Sequence, residues 1–493
     1  MHRILLGNSD YRDKVYACWL GKNIGGTLGG PWECRKHVND LTFYDPIPDG
    51  SAPNDDLDLQ LVWLKMMEDR GVPPRLPHFA EYWAKYTCAY PWNEYGFCMR
   101  NLDRGLRPPI SGCFENYYVD EMGSPIRSEI WACLCPGDPQ RAAELAWRDS
   151  ALDHAGGEGM FGEMFWAAVE SAAFVIDDPL TLIRIGLAMI PPASNISRVV
   201  REALWCRASG KRWAEARQRI VQWFGRNQPC NAVPNHGFIV LGWLYGRDFG
   251  DRLCKAVNCG FDTDCTGATL GAVLGLLGGT AGIPDRWREP IGERIVLHPY
   301  TRPDGLPRSV GDLTDRTAAL ARRFLAEHGD SVVWADEAHL PDDVIALLFR
   351  NEIARDALAR DVNAACETRG DLVIALHYGG EPVLLPGVKR TVEVGVSRRP
   401  GFREEPGFDI SLEGPSGFSV ERLDDRGARV RFDVTPPAEF RDATLRVTAG
   451  EAEADFVVFS PEASPGFPSG TNVETCPVCH ARKAACICEE KNR

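Results

Sequence analysis

The chain has 493 residues, 44% hydrophobic, 10% aromatic and 25% charged, a balance that fits packed globular domains rather than a disordered chain. That length exceeds one ordinary hydrophobic core and calls for two or three domains. A formal charge of −14 argues against a protein that grips nucleic acid by neutralising phosphates, and no apolar run approaches the ~18 residues of a membrane-spanning helix.

At the N-terminus only Ile4, Leu5 and Leu6 form an apolar stretch before polar residues resume. A secretory signal needs an apolar core of roughly 7–15 residues, so a cytoplasmic protein is expected. From there to about residue 329 the hydrophobic period is helical. Leu57, Leu61 and Leu64 recur at i, i+4 and i+7. Similar stretches begin near Pro139, Gly157, Pro179, Lys211, Asn235, Phe249 and Thr266, and Pro or Gly lies between many of them. All 14 tryptophans lie between Trp19 and Trp334, which separates this part in composition from the rest of the chain. Residues 330–365 read as a helical connector, with Pro341, Asp342 and Asp343 opening a helix predicted over 341–360.

From Asp371 the period becomes two. About seven short alternating runs, separated by Gly, Pro and Asp turns, predict a small β-sandwich-like domain over residues 366–461. A spacer, a substrate-recruiting module and a partner or oligomer contact are all open roles for it. A Pro-, Ser- and Gly-rich linker (462–475) leads to a Cys-rich tail (476–493). The predicted fold is multidomain: an all-α part over 1–329, the connector, the β-rich domain and the tail.

In that tail, Cys476 and Cys479 have C-x-x-C spacing, and Cys486 and Cys488 follow within 13 residues of the first. Four soft ligands so close together suit a tetrahedral, structural Zn²⁺, with His480 able to replace one of them. The other reading is a flexible, redox-active thiol tail. The remaining 13 cysteines, Cys18 to Cys366, show no paired spacing and read as ordinary thiols of a cytosolic chain.

Two acidic motifs carry the chemistry. Asn54, Asp55, Asp56 and Asp58 stand at the start of one apolar helix, and Asp262 and Asp264 at the start of another. Either set serves as caps and first-turn acids. The second helix, however, carries Gly267, Gly271, Gly275 and Gly278 at three- and four-residue steps, which bares one face for close backbone approach. A close-packed helix opening on paired aspartates suits a buried site for Mg²⁺, which takes hard oxygen ligands. Two such pairs brought together would supply carboxylates for two ions.

These motifs fall in order with others. Gly21 to Glu33 forms a glycine-spaced stretch ending Pro31-Trp32-Glu33; Met122 to Arg127 reads Met-Gly-Ser-Pro-Ile-Arg and is followed by Pro136-Gly137-Asp138-Pro139; Asp153 to Gly162 is a histidine-containing glycine-rich loop. The ordered set resembles the ADP-ribosylglycohydrolase family over about residues 12–283. The resemblance implies an all-α catalytic domain with two Mg²⁺ ions, ligated from Asn54, Asp55, Asp56, Asp262, Asp264 and Thr266. It implies Glu33, on a loop that covers the metals in some members, or Asp56 as the catalytic acid or base. Gly123 and Ser124 match a diphosphate-holding loop, and His154, Gly159, Phe161 and Gly162 match residues lining the ADP-ribose pocket. The activity implied is metal-dependent hydrolysis of an N- or O-glycosidic bond at the anomeric carbon of ribose. Its partner is an ADP-ribosylated protein or a small ribosyl or nucleotide glycoside, not a nucleic acid or a membrane. Leu57 replaces a threonine, Cys265 a residue that is often a hydroxyl ligand, and Met122 an asparagine of the family pattern, which points to a divergent member. A catalytically silent ADP-ribose or nucleotide reader and a structural, crystallin-like role are the alternatives.

Overall fold

The structure, a computed structural model, describes residues 3–87, 90, 93–329, 331–398 and 404–463. The tail, with Cys476, Cys479, Cys486 and Cys488, lies outside the described residues. The chain divides into two compact units whose segments alternate along the sequence. The first takes the chain up to Val72, then Asp120–Trp147 and Gly157–Ala359; the second takes Pro73–Val119, Arg148–Gly156 and the chain from Arg360. The predicted border near residue 329 therefore does not separate the units, because two segments of the predicted helical part belong with the β-rich part.

The first unit is built on helices, and its central pair is Asn8–Gly29 and Thr263–Gly278. These two pack antiparallel, with Gly21 facing Gly271, Gly25 facing Gly267, and Gly29 facing Thr263. A Cβ added at Gly21 or Gly25 would overlap the facing glycine's carbonyl oxygen, so the backbones themselves are in contact. Of the stripe read from the sequence, Gly267 and Gly271 meet the glycines that precede Glu33 and Gly275 meets the Ala17 backbone, whereas a Cβ at Gly278 would meet nothing within 4 Å. Around the pair, Trp19, Trp63, Trp131, Trp166, Trp243 and Trp287 are all buried, which accounts for the concentration of tryptophan in this part.

Two strands complete the unit, and neither carries enough residues to show a period of its own. β1 (Ile4–Gly7) pairs in parallel with β2 (Val332–Ala335), Ile4 opposite Val332. β2 lies inside the segment read as a helical connector. The helix predicted over 341–360 is instead two short ones, Val344–Leu348 and Glu352–Leu358. Asn351 stands at the break, its side-chain amide donating to the Ala188 carbonyl at 2.8 Å, an anchor that periodicity cannot register.

In the second unit all seven alternating runs form strands, and β3 (Ala364–Arg369) adds an eighth. β3, β4 (Leu372–His377), β5 (Arg390–Ser397), β8 (Arg429–Thr435) and β7 (Ser419–Arg426) make one antiparallel sheet in the order β3-β4-β5-β8-β7. β10 (Ala452–Phe459), β9 (Asp442–Ala449) and β6 (Ile410–Glu413) make the other, in the order β10-β9-β6. Inward residues of both sheets, Val392, Phe432, Leu445 and Phe456 among them, share one core, which also takes in Ile110 and Phe114. Arg107 pairs with Glu367 at 2.6 Å, and the Cys366 N–H donates to the Pro108 carbonyl at 3.0 Å. These bonds fasten the early segment to β3. The edge strand β7 presents mostly charged, exposed side chains, a pattern that discourages edge-to-edge association.

Gly25→Ala should separate the central helices and cost about 1–3 kcal/mol through overpacking. Gly282→Ala, where an added Cβ meets nothing within 4 Å, should stay within about 0.5 kcal/mol of wild type. Urea unfolding followed by tryptophan fluorescence measures both; equal midpoints would remove the glycine contact from its central role.

Candidate metal and catalytic site

Because the central helices run antiparallel, the end of Asn8–Gly29 meets the start of Thr263–Gly278. The chain leaves Gly29 through a short 3-10 turn, Gly30–Trp32, and reaches Glu33. The Cys34 N–H then donates to the Phe261 carbonyl (2.8 Å), and the Phe261 N–H to the Arg35 carbonyl (2.7 Å). Cys34 (φ 64°) and Phe261 (φ 70°) both adopt the left-handed conformation, at a cost of order 1–3 kcal/mol each that the surrounding bonds must offset. Arg217 helps, donating twice to the Cys259 carbonyl at 3.1 and 2.9 Å. This turn presents Asp262, whose N–H is accepted by the Asn235 side-chain oxygen at 3.3 Å.

From the other side comes the helix Asp55–Arg70. Asn54 caps it, its Oδ1 accepting the Asp56 N–H at 2.8 Å, and its amide packs where a Cβ at Gly26 would otherwise stand. The capping reading therefore holds for Asn54. It does not hold for Asp262, which makes no side-chain cap bond to its helix.

The two acidic motifs meet. Ligand atoms of Glu33, Asp262 and Asp264 lie within 4.8 Å of one another, as do those of Asp56, Asp264 and Cys265. Asp264 belongs to both groups and joins them. Both carboxylate oxygens of Asp56 and of Asp262, and one of Asp264, are buried without a hydrogen-bond donor. Their pKa values respond accordingly. Burial, then Asp264 and Glu129, push Asp56 up to about 7 although Lys22 opposes them. Burial and the neighbouring Glu33 push Asp264 up to about 8, and burial with Asp264 raises Asp262. Glu33 is different, because its side chain is open to solvent. Even so, the protein packed around its carboxylate, then Cys34 and Asp55, push its pKa up to about 8.

Buried carboxylates without donors are costly unless a cation neutralises them. The donor set here is hard oxygen, which fits Mg²⁺. Cys265 does not disturb that fit: burial holds its thiol well above the usual range, so it stays neutral. Thr266 is buried, and its hydroxyl donates to the Thr263 carbonyl at 3.2 Å, leaving its lone pairs as the only means of ligation.

Beneath the cluster runs a polar layer that has no signature in the sequence. Lys22 pairs with Glu129 at 2.7 Å, both side chains buried. The Gln60 amide donates to Glu129 (2.8 Å) and to the Asp56 carbonyl (2.9 Å). Asp58, the extra carboxylate of the first motif, points elsewhere and accepts the His298 N–H at 2.6 Å. No spacing rule identifies Lys22, Glu129 or Asn235 as partners of the site, since the Lys22–Glu129 pair spans 107 residues and the Asn235–Asp262 bond 27.

The residues matched to the substrate are dispersed. Ser124 is buried, its hydroxyl donating to Glu163 at 2.5 Å, and the Gly123 carbonyl accepts from Arg127 at 2.6 Å. Gly159, Phe161 and Gly162 lie in the first turns of Glu158–Ala173, where Gly162 makes room for the His236 ring. His154 belongs to the second unit, fully buried, its Nδ1 2.9 Å from Asp153 and its Nε2 3.7 Å from Glu94.

The family model for ADP-ribosylglycohydrolase matches residues 7–328. The chain belongs to the ADP-ribosylglycohydrolase family, whose type of chemistry is glycosyl hydrolysis. A solved structure described as an ADP-ribosylglycohydrolase-related protein complex is similar at 19% identity, covering 64% of this chain and 97% of that one, with a TM-score of 0.40. None of the curated proteins matches the sequence.

His154 supplies a pH signature. Burial pulls its pKa down, but the Asp153 and Glu94 carboxylates outweigh that and hold it at about 9. Against an unfolded value of ~6.5, the raised pKa is worth about 3 kcal/mol, fully present below pH ~6.5 and lost as pH rises through about 9. The stability deficit of His154→Gln should thus be largest near pH 6 and shrink toward pH 9.5 in denaturant titrations. A pH-independent deficit would exclude the charged pair.

Proposed function

We propose that this chain hydrolyses an N- or O-glycosidic bond at the anomeric carbon of ribose in a metal-dependent reaction, on an ADP-ribosylated protein or a related small glycoside or nucleotide. The observation that supports the reading is the convergence of Glu33, Asp56, Asp262 and Asp264, with both carboxylate oxygens of Asp56 and Asp262 and one of Asp264 buried and unsatisfied. Asp55, Asp56, Asp262 and Asp264, with the side-chain oxygens of Asn54 and Thr266, would hold two Mg²⁺ ions. Such ions, when bound, polarise ribose oxygens and lower the pKa of a water.

Glu33 is the residue assigned to move the proton. It stands open to solvent at the edge of the cluster, where an attacking water and a sugar have access. Its carboxylate takes a proton from the water as the new bond to the anomeric carbon forms, and the leaving atom takes up a proton from solvent as the old bond breaks. Asp56 is fully buried near Lys22, which suits a ligand better than a proton carrier. By their match to the family pattern, Gly123 and Ser124 are assigned to the diphosphate side, and Gly159, Phe161 and Gly162 to the ADP-ribose side. In the second unit, the paired sheets read as a sandwich, and the tail as a structural zinc site.

Release of ADP-ribose from ADP-ribosyl-arginine and ADP-ribosyl-serine peptides, and of base from nucleosides, tests the activity with Mg²⁺ and with EDTA. Turnover should require Mg²⁺, and Asp262→Asn should lower it by at least about 10²-fold, as loss of a metal-held group does. Mg²⁺ at 100 times its Kd should also stabilise wild type by about 2.7 kcal/mol, and Asp262→Asn should lose most of that gain. Metal-independent turnover would overturn the assignment. For the tail, zinc content per chain should fall by one ion in Cys476→Ser/Cys479→Ser; unchanged content would end that reading.

A further inference from the structure

At the open edge of the acidic cluster two thiols face one carboxylate. The Cys34 Sγ lies 3.6 Å and the Cys230 Sγ 3.9 Å from Glu33 Oε1. One ligand atom from each of the three residues falls within 4.8 Å of the others. The cysteines come from different loops, and both backbones are anchored. The Cys34 N–H is bonded to the Phe261 carbonyl, and the Cys230 carbonyl accepts the Met122 N–H at 2.8 Å.

We infer that Glu33, Cys34 and Cys230 form a second metal site, selective for a soft divalent cation of the Zn²⁺ class. In a tetrahedral zinc site, Zn–S of ≈2.3 Å and Zn–O of ≈2.0–2.2 Å put sulfur and oxygen ligands roughly 3.5 Å apart, close to the separations observed. Binding releases the two thiol protons to solvent, leaving two thiolates and a carboxylate around the ion. Glu33 and Cys34 are both exposed, so the fourth position opens to water. Two sulfurs make this a poor Mg²⁺ site, whereas the cluster beside it, in which carboxylates outnumber the single thiol of Cys265, suits a harder ion. The two sites are therefore distinguished by donor chemistry, and they share one side chain. A soft cation on the thiols engages the carboxylate assigned above to proton transfer; only that consequence rests on the proposed function, and the site itself rests on the thiol geometry.

The test uses reduced full-length protein with Mg²⁺ in excess, titrated with Cd²⁺, which reports thiolate ligation by an ultraviolet charge-transfer band. Wild type should bind one more thiolate-ligated Cd²⁺ per chain than Cys34→Ser/Cys230→Ser, with a matching difference in band intensity. Either single substitution should weaken that component by roughly tenfold or more. Metal-free melting curves of the variants should superimpose on wild type, and Cys230→Ala serves as a second replacement if serine perturbs the loop. Equal Cd²⁺ stoichiometry and band intensity in wild type and the folded double variant would overturn the site, assigning all thiolate ligation to the other cysteines.

Discussion

The backbone contact between Asn8–Gly29 and Thr263–Gly278 sets the geometry on which the rest of the first unit depends. Any side chain at Gly21, Gly25, Gly267 or Gly271 would force the helices apart. Their antiparallel register delivers the turn before Glu33 to the turn before Asp262, and Gly26 leaves space for Asn54. Glycine is unfavourable inside a helix by about 1 kcal/mol relative to alanine, so this arrangement weakens each helix locally while permitting a contact that larger residues cannot make. The left-handed Cys34 and Phe261 extend the same logic into the loops. Strain there is held by the paired bonds between residues 34–35 and 261, where the acidic cluster begins.

Electrostatics gives that geometry its meaning. Asp56, Asp262 and Asp264 are drawn toward neutrality by burial and by one another, and the buried Lys22 is committed to Glu129. One ammonium shared with a partner cannot compensate three carboxylates and the nearby Glu33. Their grouped oxygens make the cluster a candidate site for a cation. The polar layer of Gln60, Glu129 and Lys22 has a second effect, tying the Asp56 backbone to the central helix. Such outer partners orient ligands and tune the site they support.

Much of this organisation is legible in the residues themselves. Seven alternating runs are seven strands, because each carries its own two-residue period. β3, with Ala364, Ala365 and Cys366 buried one after another, lacks that alternation and gives no such signal. The helix expected over 341–360 breaks at Asn351, where a distant carbonyl captures the side chain. The acid pairs stand out because they precede helices, and Asn54 does cap as its type predicts. Cys34, Cys230, Lys22 and Asn235 give no signal, since their roles exist only through partners far away in the chain.

What the sequence by itself determined was local: helical and strand periods, caps, the glycine stripe and an ordered set of motifs specific enough to name a family. Tertiary structure alone decided that the two aspartate motifs converge, that Ile110 and Phe114 belong to the core of the sheets, and that two thiols flank Glu33. The physical reason is that periodicity reports which face of one element is apolar, whereas a site is a set of distances between elements. Those distances are set by how closely backbones approach, and here the closest approach is glycine against glycine.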